Sequence, residues 1–292
     1  MSLGPPTLAF STSLGGTPVA QTFIVTNTGV GTLLYTNATS YGTGPGWLTL
    51  APTNASLAAD ATQIHTATVS QATSVGVFAA TNTLSGNQDN GAKTVSSTYT
   101  VNALSNPTAL SASAIGTTNL TVNWTKGAFD VMVVRRAGAD PDAPTGGTAY
   151  VHNETYGTDN RNQVIYAHGA DAADIDVGLT RDTVYHYGFY SENYSYYSSG
   201  AFLVATTEVA AVDGEVDEWV GTAPAVVNSS TVENNEFIWT DKQYERRTES
   251  GQASDVDMLE FRMLADADDV YFMVKFDDIT DIAYPYVAIG LD

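Results

Sequence analysis

The sequence predicts an all-β protein made of three β-sandwich modules in a row. Three observations point there. No segment sustains a 3.6-residue apolar period, whereas short alternating runs bounded by Gly, Pro, Asn and Asp recur along the chain. Charged residues are 15% of the 292, against a background rich in Thr, Ser, Asn, Gly and Ala, and this composition suits strands with one solvated face. Two boundaries also stand out: Leu104-Ser105-Asn106-Pro107 lies between one strand run and the next, and Thr206 to Asp213 marks a shift to acidic composition. These breaks divide the chain into residues 1–105, 106–207 and 208–292, each near the usual size of a sandwich.

In the first module, Gln21 to Thr26 reads as a strand that ends in the turn Asn27-Thr28-Gly29. Leu33-Leu34-Tyr35, Trp47 to Pro52, Thr66 to Val69, Gly76 to Gly86 and Ser97 to Val101 follow as further strands. The order strand-Asn-x-Gly, Trp-Leu-Thr-Leu-x-Pro and Gly-x-Phe resembles BACON-like bacterial immunoglobulin-type domains across residues 7–103. That resemblance implies a module that accompanies carbohydrate-active and surface proteins, with glycan binding as a role in some members. Trp47 is then either a sugar-stacking platform or a core residue; large aromatics dominate core energetics, which favours the core.

In the second module, Pro107 to Leu110, Leu120 to Trp124 and Val131 to Arg136 alternate as strands. Leu179, Thr183 and Tyr185 have the spacing of a tyrosine corner, in which a Tyr hydroxyl bonds back to the chain. Tyr185 to Tyr190 continues as the strand behind it, with His186 expected to face solvent. This pattern resembles a fibronectin type III domain over residues 106–207, and the resemblance implies a spacer or protein-binding role. Arg181 stands where the family usually has proline. Tyr190, Tyr194, Tyr196 and Tyr197 form a candidate contact patch for a glycan or a partner; alternatively they cover the end of the sandwich.

The third module carries most of the charge. The chain has a formal net charge of -21, of which residues 1–105 hold only Asp60, Asp89 and Lys93. Its strand-like runs are Phe237 to Asp241, Met258 to Phe261 and Val270 to Phe276, with Asp266, Asp268 and Asp269 read as a hairpin turn. Carboxylates cluster beside these runs. Asp213, Asp217 and Glu218 frame a Gly-containing turn, and Asp241, Asp257 and Glu260 converge if their strands pair. Oxygen-only ligand sets of this kind suit calcium. The competing reading is that the acids solubilise an outer face.

The order Asp213-Gly214 to Trp219, Phe237-Ile238-Trp239-Thr240-Asp241, Arg247-Thr248 and Asp257 to Phe261 resembles DOMON-like sandwiches. These include family-nine carbohydrate-binding modules and the C-terminal domains of glucodextranase-type enzymes. The resemblance implies secretion, calcium and a sugar chain, with Trp239 as a candidate contact. Such domains run longer than residues 208–292, so the module is expected to be incomplete and the chain to be a piece of a longer protein. An unpaired strand edge at Val287 to Leu291 would then invite self-association, increasing with calcium as repulsion is relieved.

Composition also excludes. The chain has no cysteine, so it has no disulfide and no thiolate chemistry. Its acidity repels phosphate backbones and anionic lipid, which argues against nucleic acid and membrane insertion. His65, His152, His168 and His186 lack metal-ligand spacing, and neither a nucleophile elbow nor a phosphate loop occurs. The expectation is a non-catalytic segment of an exported or cell-surface bacterial protein that presents a calcium-dependent module able to bind polysaccharide. The alternative is a structural or adhesive protein whose modules contact other surface proteins.

Overall fold

The computed structural model describes residues 1–169, 171–209, 219–242, 258–265 and 269–276. Every regular element among them is a strand. By spatial proximity the chain divides into two compact units. One comprises Met1–Ser111, Asn123–Asp174 and His186–Val204; the other comprises Ala112–Val122, Ile175–Tyr185 and Ala205–Asp292.

Two sheets built from residues 2–102 face each other. The first has the order β1 (Ser2–Gly4), β3 (Gln21–Thr26), β7 (Thr62–Val69), β5 (Leu48–Ala51). The second has the order β2 (Thr7–Ser13), β9 (Lys93–Asn102), β8 (Gly76–Gly86), β4 (Leu33–Tyr41), β6 (Asn54–Leu57). Period-2 alternation sends Leu8, Phe10, Phe23, Val25, Leu84, Val95, Tyr99 and Val101 into a common core. Trp47 belongs to that core at 7% exposure, so its ring face is not a platform.

The outer faces follow from the same alternation. Thr22 pairs with Thr66 and Thr26 with Thr62, flanking an Ile24–Ile64 pair, and both isoleucines are exposed. Hydroxyls and methyls, rather than charges, solvate this face. The Asn-x-Gly turn has a physical basis. Asn27 is buried; its amide donates to the carbonyls of Gly31 at 2.7 Å and Leu57 at 3.0 Å, and its Oδ1 accepts from Gly29 N at 3.0 Å. Gly86 is required by a close approach, since a Cβ there would lie 1.9 Å from the Leu34 carbonyl oxygen.

Residues 108–206 supply two more sheets. The smaller has the order β10 (Thr108–Ser113), β11 (Asn119–Thr125), β15 (Ala173–Val177). The larger has the order β13 (Thr155–Tyr156), β14 (Asn162–Gly169), β12 (Asp130–Ala137), β16 (Val184–Asn193), β17 (Tyr196–Tyr197), with β18 (Ala201–Thr206) also on β16. Trp124 is buried, with its ring 5.1 Å from that of Tyr166 and 5.7 Å from that of Phe189. Strand β15 inverts the usual pattern: Asp176 is buried while Ile175 and Val177 are exposed. An inward carboxylate on an edge strand discourages pairing with another chain.

Residues 229–276 form an antiparallel sheet, β19 (Ser229–Glu233), β20 (Glu236–Thr240), β21 (Met258–Ala265), β22 (Val270–Phe276). Strands β21 and β22 are antiparallel neighbours, with Ala265 paired to Val270; Asp266 and Asp268 of the turn expected between them lie outside the described residues. The strand expected at Val287 to Leu291 lies outside the described residues.

Candidate functional site

Of the six candidate calcium ligands, Asp213, Asp217, Glu218 and Asp257 lie outside the described residues. Asp241 follows the end of β20; its N–H donates to Leu259 O at 2.8 Å, and its Oδ1 accepts from Lys242 N at 2.8 Å. Glu260 sits across the ladder from Thr240, the residue before Asp241, and side chains of successive strand residues face opposite sides of a sheet. Glu260 is also committed to an ion pair with Arg262. Among the described residues, no group of three His, Asp or Glu side chains is placed to hold a metal.

Arg262 joins Glu260 to a fully buried carboxylate that sequence reasoning did not single out. Glu236 accepts from Arg262 Nη1 at 2.7 Å, from Val220 N at 2.7 Å and from Gly221 N at 3.0 Å. Arg181 approaches the same carboxylate at 3.7 Å. Arg262 Nη1 also donates to Gly221 O at 2.8 Å. Burial alone would lower the Arg262 pKa; its bonds to Glu260 and Glu236 outweigh that and raise it. A buried carboxylate with this many donors is a structural joint. The sequence signal for it was an arginine inside the apolar run Met258–Leu264.

The tyrosine patch is divided by burial. Tyr190 is fully buried and Tyr197 nearly so, in one cluster with Tyr150, Tyr156 and Met132. Neither presents a ring face to a ligand, because strand β16 points Tyr190 into the sandwich. Burial raises the Tyr190 hydroxyl to about 12 and pushes that of Tyr197 up as well. Tyr194 is exposed, at 75%, and Tyr196 is half-buried. Trp239 is half-buried opposite Phe261, on a sheet face shared with Phe237, Met263 and Phe272.

The histidines divide by chemistry. His65 is fully buried and stacked on Phe23, with centroids 4.8 Å apart. Its Nδ1 lies 2.7 Å from the Pro52 carbonyl, which can only accept, so Nδ1 carries the proton and Nε2 accepts from the Tyr35 hydroxyl at 2.6 Å. The environment fits neutral imidazole, and burial lowers its pKa despite the Pro52 bond. Burial also pushes the Tyr35 hydroxyl up to about 12. His186 pairs with Asp140 at 2.7 Å instead of facing solvent alone.

No family model and no curated protein matches the chain. Solved structures do. The FN1-FN3 domains of chicken CNTN1 match at 11% identity over 69% of this chain and 63% of that chain, with a TM-score of 0.29. A two-domain fibronectin type III segment of chicken tenascin matches at 15% identity over 65% of this chain and 94% of that chain, with a TM-score of 0.28. Domains A168-A170 of titin match at 11% identity over 69% and 62%, with a TM-score of 0.31.

Proposed function

We propose that this chain is a non-catalytic segment of a large exported bacterial protein, and that it spaces and presents a calcium-dependent, glycan-binding module at residues 208–292. The observation that carries this reading is the modular all-β architecture combined with its charge distribution. Residues 1–105 hold two acids and one base, whereas residues 208–292 hold twenty acids and five bases. The DOMON-like order of motifs supports a carboxylate site in this module.

Calcium that binds only the folded state would stabilise it by mass action, by about 2.7 kcal/mol at a hundredfold excess over the dissociation constant. Melting in chelator and in millimolar calcium tests this: a rise in Tm is expected, and superimposable curves overturn it. A glycan array probed with the same chain tests the sugar. A second reading, an adhesive or structural segment binding other surface proteins, is favoured by the exposed apolar side chains of Ile24, Leu34, Ile64 and Val77 on uncharged faces. Binding to an array glycan supports the first reading, whereas concentration-dependent association without glycan binding supports the second.

A further inference from the structure

We propose that the tip of the β16–β17 hairpin latches the first sandwich to the second, and that His168 and Glu192 brace this tip only while His168 is protonated. The latch is short. Asn193 Nδ2 donates to the Leu14 carbonyl at 2.7 Å. Gly15 packs so closely that a Cβ on it would lie 2.0 Å from Asn193 O and 3.3 Å from Tyr196 Cβ, and its φ is +81°. On its own side the Leu14–Gly16 turn is tied down: Gly15 N donates to Ala72 O, Ala72 N to Gly16 O and Gln71 Nε2 to Gly15 O, each at 2.8 Å. On the other side, Gly147 N holds Ser195 O at 2.8 Å.

Glu192 organises the tip. Its side chain is 8% exposed and both oxygens are used. Oε1 accepts from Ser195 N at 2.8 Å, which closes the turn, and Oε2 faces His168 Nδ1 in a very short contact. The other ring nitrogen, Nε2, lies 2.8 Å from the Tyr150 carbonyl. Both nitrogens of His168 therefore face groups that only accept. A neutral imidazole has one N–H and one lone pair, so either tautomer sets a lone pair against an acceptor. Only imidazolium satisfies both contacts, and it also neutralises the buried carboxylate.

The charged groups around His168 act in the same direction. Glu192 and Asp130 raise its pKa, the Tyr150 carbonyl bond adds to this, and together they outweigh burial, which lowers it. The Tyr150 and Tyr197 rings pack at a tilt in the same cluster, 5.9 Å apart, and Glu154 acts on Tyr197. As pH rises through the raised His168 value, the ion pair is lost. One contact must then open, and Glu192 is left to the Ser195 N–H alone. The tip loosens, and with it its hold on the Leu14–Gly16 turn.

A chain without native cysteine allows spin labels at Ser56→Cys and Thr158→Cys, with pulsed EPR distances measured at about pH 5.5 and about pH 8.5, either side of an ordinary His pKa. The expected result is one narrow distribution at the lower pH and a broader one at the higher pH. H168Q and E192Q should give the same broad distribution at both, and N193A should broaden it without moving the His168 titration followed by NMR. Near-UV circular dichroism confirms that each variant is folded. An unchanged distribution in the parent chain, or a pH response that persists in H168Q, overturns the proposal.

Discussion

The Tyr185 hydroxyl accepts a hydrogen bond from the Thr180 backbone N–H at 2.8 Å, one residue past the buried Leu179. This is the corner that the Leu179, Thr183 and Tyr185 spacing predicts, and Thr180 is the backbone group it secures. Thr207 closes the same region: its hydroxyl donates to Thr180 O at 2.7 Å and accepts from Thr183 N at 3.0 Å. Tyr185→Phe should therefore cost on the order of 1 kcal/mol, read as a lower urea midpoint at an unchanged m-value.

Trp124 anchors the second sandwich by packing and not by its indole N–H, which has no hydrogen-bond partner. Trp124→Ala should cost roughly 3–5 kcal/mol through the cavity it leaves. Trp124→Phe should cost distinctly less, because the phenyl ring refills most of that cavity and the indole N–H had no bond to lose. Equal losses for the two variants in chemical denaturation would contradict this account.

The Glu236–Arg262 pair should behave asymmetrically. Arg262→Leu leaves a fully buried carboxylate with only the more distant Arg181 as a cation, and should cost about 3–5 kcal/mol. Replacing both residues, as Glu236→Leu with Arg262→Leu, removes the fully buried carboxylate, leaves only the less buried Glu260 without Arg262, and should recover part of that loss. A double-mutant cycle from thermal melts measures the coupling; simple additivity would show that the pair is not coupled.

The two histidines should impose opposite pH dependences. The folded-state pKa of His65 is lowered, so below the unfolded value of about 6.5 the unfolded chain binds protons that the folded chain refuses. Its stabilising effect is complete above that value and is lost as pH falls through the folded pKa. The pKa of His168 is raised, so its effect is complete below the unfolded value and is lost as pH rises through the folded pKa. Urea titrations across this range should show His65→Asn flattening the acid limb and His168→Gln flattening the alkaline one.

Much of the fold was legible because period-2 alternation is a local property. Phe23 and Val25, or Val95, Tyr99 and Val101, announce an inward face without knowledge of what they pack against. The tyrosine corner was legible for the same reason, since donor and acceptor are five residues apart. The carboxylates from Asp213 to Glu260 are legible as a surplus of acid, but a surplus does not state which oxygens meet.

Taken alone, the sequence determined the all-β class, the absence of disulfide chemistry and the uncharged faces of the first sandwich, and it favoured the core for Trp47. Only the tertiary structure decided which polar groups are spent on one another. His168 and Glu192 are 24 residues apart, Glu236 and Arg262 are 26 apart, and Asn193 reaches a carbonyl 179 residues away. The physical reason is that hydrophobic burial is non-directional and can be read from pattern, whereas a buried polar group must find a partner at one distance and one angle. Strand register and sandwich packing set those distances, so a tyrosine in the same short run is a core residue at Tyr190 and a surface residue at Tyr194.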